Sequence, residues 1–162
     1  MIRIAVAFAV AVLASVAQAD ADDVKLPRTV AVLHVPPTWH KVDAPSLVAA
    51  YRTDAGLVLA VTRAQTTNWP AWTPKTRDAY LTQIERGALK NLKRTARKVS
   101  EASGVPALDL EARRDDGTTL ILRILVFRTY AIAAAVDVPR GGSLADARAV
   151  TTTFAPPPDY NP

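Results

Sequence analysis

The sequence predicts an α+β domain: a mainly antiparallel six-stranded sheet covered by helices, an α-β-α sandwich in the order β-β-β-α-β-β-β-α. Three observations predict it. Two tight-turn signals, Asp54-Ala55-Gly56 and Asp115-Asp116-Gly117, lie between apolar runs of strand length. The segment between those turns carries apolar residues at spacings of three and four, the period of one helix face. The chain after Gly117 holds "TTLILRILVFR" and "YAIAAAVDV", which are apolar on both sides and therefore need cover above and below.

The elements follow in order. "MIRIAVAFAVAVLASVAQA" has Arg3, an apolar run and a small-x-small end at Ala17-Gln18-Ala19. That is the pattern of a signal peptide over residues 1–19, cleaved after Ala19, which directs the protein to the periplasm or outside the cell. Residues 20–154 form one domain of ordinary size. "TVAVLHV" reads as a strand stopped by Pro36-Pro37. "SLVAAYRT" and "LVLAVTRA" form a hairpin, with Leu57, Leu59 and Val61 on one face.

Thr73 is the expected N-cap of a helix, with Pro74 at its first position and Asp78 near its first turn. A stripe of Leu81, Ile84, Ala88, Leu92, Ala96 and Val99 carries that helix to Gly104. "VPALDLEARR" alternates as a half-buried strand, and Gly117 supplies the left-handed position of the turn that follows. If Asp115 to Gly117 is the whole loop, Asp109 lies opposite Arg123, a charge otherwise stranded inside an apolar strand. In "YAIAAAVDV" the face of Ala131, Ala133 and Ala135 implies a closely approaching helix. Ser143 and Asp146 make a capping box for a last helix. "APPPDYNP", residues 155–162, reads as a Pro-rich mobile tail. Arg123 and Arg128 interrupt the apolar stretch from Leu120 to Val138, so two strands are expected there and no transmembrane segment in the mature chain.

"VPPTWHKV", the first hairpin, the amphipathic helix, "GVPALDLEARRDDGTTLILRILVF", a further strand and a terminal helix ending in Phe154 together resemble the PsbP-like superfamily. That superfamily includes bacterial periplasmic proteins of the DcrB type. The resemblance covers most of the mature chain. It implies an α-β-α sandwich used for binding and assembly, and an accessory protein rather than an enzyme.

Composition narrows the chemistry. There is no cysteine, which excludes disulfides, thiolate zinc sites and cysteine nucleophiles. His34 and His40 lack a partner at helical spacing, so both read as structural or merely surface residues, and no catalytic, metal or cofactor-binding residue is assigned. Gly141-Gly142 before the last helix reads as a turn and cap, with an anion site as the other reading. Formal net charge is +5, and loss of Arg3 with the leader lowers it by one.

Two surfaces remain. On the predicted helix Arg86, Lys90, Lys93, Arg94, Arg97 and Lys98 gather opposite the apolar stripe. They form either a solvated helix face or a surface for an acidic partner or polyanion, such as phospholipid or lipopolysaccharide. Trp69 and Trp72 in "NWPAW" either fold over the core or form an interface. Export and the lack of interleaved aromatics argue against nucleic acid. The sequence thus points to an exported, non-enzymatic binding protein of the bacterial envelope. Its expected partner is an envelope protein, and a small ligand or envelope anion is the alternative.

Overall fold

The computed structural model describes residues 23–27, 29–66 and 73–161. The expected leader and the Trp69–Trp72 loop lie outside the described residues. The elements run β1 (Asp23–Lys25), β2 (Val32–His34), β3 (His40–Lys41), β4 (Ala49–Arg52), β5 (Val58–Gln65), α1 (Pro74–Ala88), β6 (Lys93–Ala102), β7 (Val105–Arg113), β8 (Thr119–Val126), β9 (Tyr130–Val138) and α2 (Leu144–Thr152). A seven-stranded antiparallel sheet has the order β3-β4-β5-β9-β8-β7-β6, and β1 pairs with β2 apart from it.

β8 and β9 occupy the middle because both of their faces are apolar. On one face Leu120, Leu122, Ile124 and Val126 join Ala131, Ala133 and Ala135, and α1 lays Leu81, Ile84 and Ala88 over them. A helix covers the alanine face, but it does not come close as expected: α1 reaches it through long side chains, and the helix whose backbone approaches β8 and β9 is α2, on the other face. Burying Leu81 and Ile84 there contributes about 1.5–3 kcal/mol each. On the other face Ile121, Leu125, Ile132, Ala134, Val136 and Val138 pack with Leu57, Leu59 and Val61. Trp39 fills the same core, which Ala147, Val150 and Phe154 of the α2 region close.

The sequence underestimates the strands. The expected helix to Gly104 stops at Ala88, and Lys93–Ala102 is strand β6. Two local signals end the helix and turn the chain. Asn91 adopts φ 65°, the left-handed conformation that Asn tolerates at helix ends. Ser103 and Gly104, at φ 47° and 75°, form a two-residue hairpin turn into β7. Leu92, Ala96 and Val99 therefore leave the helical stripe, and only Leu92 and Val99 pack against the α1-side core. The first predicted strand survives as β2 but pairs with β1, while β3 joins the main sheet.

The tail is also not free along its length. Val32 and Ala155 exchange backbone hydrogen bonds of 2.8 and 3.1 Å. Tyr160 meets Phe127 edge-on, with ring centroids 5.8 Å apart.

The caps and turns follow the local rules. Thr73 and Thr76 cap α1 reciprocally, and Ser143 Oγ accepts from the Asp146 backbone N–H at 3.1 Å. Gly56 and Gly117 take φ 82° and 86°, as their hairpins require.

The β7–β8 register places Asp109 opposite Arg123 and Arg113 opposite Thr119. Arg123 Nε lies 3.6 Å from Asp109, an ion-pair rather than a hydrogen-bond distance, and Nη1 donates to the Thr152 carbonyl at 3.2 Å. Glu111, two residues along, accepts a forked pair of bonds from Arg148 of α2 at 2.6 and 3.0 Å. Those bonds from Arg148 hold the Glu111 carboxyl below its ordinary value. These charges dock α2 onto the sheet, a structural role. Removing Asp109 strands a largely covered guanidinium, whereas removing Arg123 frees a carboxylate that water reaches. Asp109→Ala is therefore expected to destabilise more than Arg123→Met, and a double-mutant cycle in urea should return a coupling of about 0.2–1 kcal/mol.

Candidate functional site

The six basic residues of the sequence reading do not form one face. Arg86 is exposed on α1 and Lys90 lies in the turn after it, while Lys93, Arg94, Arg97 and Lys98 belong to β6. Successive strand residues point to opposite sides, so the run divides. Arg94 and Arg97 turn toward α1 and meet Glu85. Arg94 Nη1 bonds Glu85 Oε1, and Arg97 Nε bonds Oε2 at 2.8 Å. Arg97 Nη2 also reaches Asp78 at 3.0 Å. Burial opposes the Arg97 charge, but the hydrogen bonds to Asp78 and Glu85 outweigh it and hold the guanidinium more firmly protonated.

Glu85 is 8% exposed, so this cluster fastens α1 to the edge strand and is not an open cationic surface. Asp78, expected to answer the helix dipole, serves the same clamp. Arg77 adds a looser pair with Glu101 at 3.8 Å.

Arg86, Lys90, Lys93 and Lys98 are left over. All four are exposed, and none has a carboxylate within ion-pair distance among the described residues. Lys93 and Lys98 stand on a ten-residue strand that pairs only with β7. A bulge between Arg94 and Ala96 interrupts that pairing. Lysines and a bulge on an edge strand hinder two like copies from pairing edge to edge. The same charges would favour an acidic strand.

The other edge of the sheet is built differently. β3 has two residues, and the pairing of β4 with β5 ends at Ala49 opposite Val61. β5 continues to Gln65, and the chain around Pro45 stands away from it. An open cleft of 510 Å³ results, lined by Pro27, Pro45, Ser46, Leu47, Val48, Arg63 and Gln65. The Arg63 guanidinium carbon sits 4.4 Å from the centroid of the Tyr130 ring, which itself stacks on Phe127 at 4.6 Å. Sequence reasoning missed this group, although a signal was present. Arg63 and Gln65 break the inward face that Leu57, Leu59 and Val61 begin.

The histidines lie on different sheets. His34 Nδ1 is 3.5 Å from Asp23, and His40 Nε2 is 3.5 Å from Asp54. Among the described residues no group of three or more His, Cys, Asp or Glu is placed to hold a metal, and no helix is long and apolar enough to cross a membrane.

Comparison with known proteins places the fold. No family model and no curated protein matches the chain. The solution structure of cyanobacterial PsbP (CyanoP) from Synechocystis sp. PCC 6803 is similar to it at 12% identity and a TM-score of 0.53. The similarity covers 91% of this chain and 96% of that one. The chain thus has a PsbP-like α+β fold, with more strands than its sequence suggests.

Glu85→Gln should leave two guanidinium groups competing for a neutral amide and loosen α1 from β6. The expected loss is about 1–3 kcal/mol in urea unfolding, with faster amide exchange confined to those two elements. A variant as stable as the parent would show that the clamp contributes nothing.

Proposed function

We propose that the protein is an exported, non-enzymatic accessory protein of the bacterial envelope, of the DcrB type within the PsbP-like superfamily. It works by contact with another envelope protein. The observation that carries this reading is the β6 edge, ten residues long and paired on one side only, with Lys93 and Lys98 exposed on it and Arg86 and Lys90 close by in the chain. Such an edge can accept an extended segment as an added strand, and the lysines select an acidic one. The PsbP-like fold supports the accessory role, and the leader pattern of residues 1–19 supports export.

Two measurements test the reading. Protein recovered from the envelope fraction should begin at Asp20, and an intact Met1 there would count against export. Lys90→Glu, Lys93→Glu and Lys98→Glu together should abolish binding to an immobilised acidic extended peptide while leaving the fold intact, because these side chains lie outside the Glu85 clamp. Binding by the parent should weaken as salt rises. If the parent ignores the peptide but binds anionic vesicles through the same lysines, the partner is a lipid or lipopolysaccharide anion rather than a protein.

A further inference from the structure

The sheet edge opposite β6 carries a second, independent arrangement. Six arginines in the described residues are committed to the protein's own carboxylates: Arg77, Arg94, Arg97, Arg114, Arg123 and Arg148. Arg63 is not. Among the described residues no carboxylate comes within ion-pair distance of it, and its guanidinium lies over the Tyr130 ring. Tyr130 is fixed in turn by its stack on Phe127, with the rings 18° from parallel. A guanidinium seated over an aromatic ring rather than paired with a carboxylate keeps N–H groups available, and the ring contact limits its motion before a ligand arrives.

What surrounds that edge has a definite chemistry. Gln65 is two residues along β5, on the same face as Arg63, and Ser46 lies across the cleft. Pro27, Pro45, Leu47 and Val48 supply apolar walls. Pairing with β4 ends at Val61, where the Val48 N–H donates to the Val61 carbonyl at 2.9 Å, so β5 runs on to Gln65 without a β4 partner. The volume of 510 Å³ falls within the roughly 300–1,000 Å³ of small-ligand sites.

We propose that this cleft binds a small aliphatic carboxylate: the Arg63 fork takes the carboxylate, Gln65 and Ser46 complete its hydrogen bonds, and the Pro-Leu-Val walls hold the hydrocarbon. One planar fork matches a planar monoanion bidentately. Phosphate, with more charge and no apolar body, would call for further cations, and among the described residues no other cation lines the cleft. The walls would contribute nothing to it.

The test is a titration of the amide-labelled protein followed by NMR, with three probes: N-acetyl-leucine, N-acetyl-leucinamide and inorganic phosphate. The carboxylate should give saturable shifts at Ser46, Leu47, Val48, Arg63 and Gln65. The amide should bind about tenfold more weakly or worse, since it loses a charge-assisted pair. Arg63→Met should show a similar loss with an otherwise unchanged spectrum, and Arg63→Lys should fall between because it keeps the charge without the fork. The proposal is overturned if Arg63→Met titrates like the parent, if phosphate binds as well as the carboxylate, or if no probe shifts these residues at millimolar concentration. Shifts confined to the β6 lysines would also overturn it, while leaving the acidic-partner reading of that edge intact.

Discussion

The β8–β9 hairpin is apolar on both faces, and the rest of the architecture follows from covering it. One helix can cover one face, so the chain needs two separate lids. Along β9 the faces differ in bulk. α1 covers Ala131, Ala133 and Ala135 through its Leu81 and Ile84 side chains, while Ile132, Val136 and Val138 meet a composite cover built from α2, whose backbone lies nearer the strands, the β1–β2 pair and the residues after Phe154. That second cover comes from both ends of the described chain, which explains why the tail is pinned: Ala155 must pair with Val32 for the two pieces to close over Trp39 and Phe154. Two charges stand within these strands: Arg123 is tolerated because Asp109 and the end of α2 both receive it, and Asp137 because Arg114 meets it.

With both faces covered, the sheet presents only its edges and its loop ends to a partner. The edges differ in kind. β6 is long and would invite self-association if it were apolar. Its inward arginines are bound to Glu85 and Asp78, so only the outward lysines lend it a charge that another molecule can feel. β3 and β4 are short, and their early end exposes β5 together with Arg63. Of the four basic residues on β6, two are therefore structure and two are surface, and strand alternation decides which residue belongs to which.

What could be read from the sequence was whatever depends on neighbours in the chain. The Asp115–Gly117 turn fixed the β7–β8 register and hence the Asp109–Arg123 pair, because a hairpin of known loop length leaves no freedom in its pairing. The Thr73 and Ser143 caps were legible for the same reason. The region from Leu89 to Gly104 was not. Leu92, Ala96 and Val99 extend a helical period by coincidence, and pairing with β7 outweighs it. The positive φ of Asn91 and of Ser103-Gly104 marks the change, but Gly after a basic run reads equally well as a helix cap. Arg63 was missed because an arginine late in a strand looks like solvent exposure until the neighbouring strand is seen to stop short.

The misreading of β6 changes the electrostatic argument more than the fold. On a helix, six cations within one arc would act together as a broad field suited to a membrane or any polyanion. On an edge strand, two of the six are neutralised by a buried carboxylate, and of the rest only Lys93 and Lys98 stand along the strand, with backbone donors and acceptors between them. A line of that kind discriminates by shape as well as charge. An extended chain can match both the lysines and the backbone groups, whereas a flat anionic surface can satisfy only the lysines. On the proposed reading of this edge, the exposed charge on β6 serves to recognise an extended strand rather than to coat a membrane.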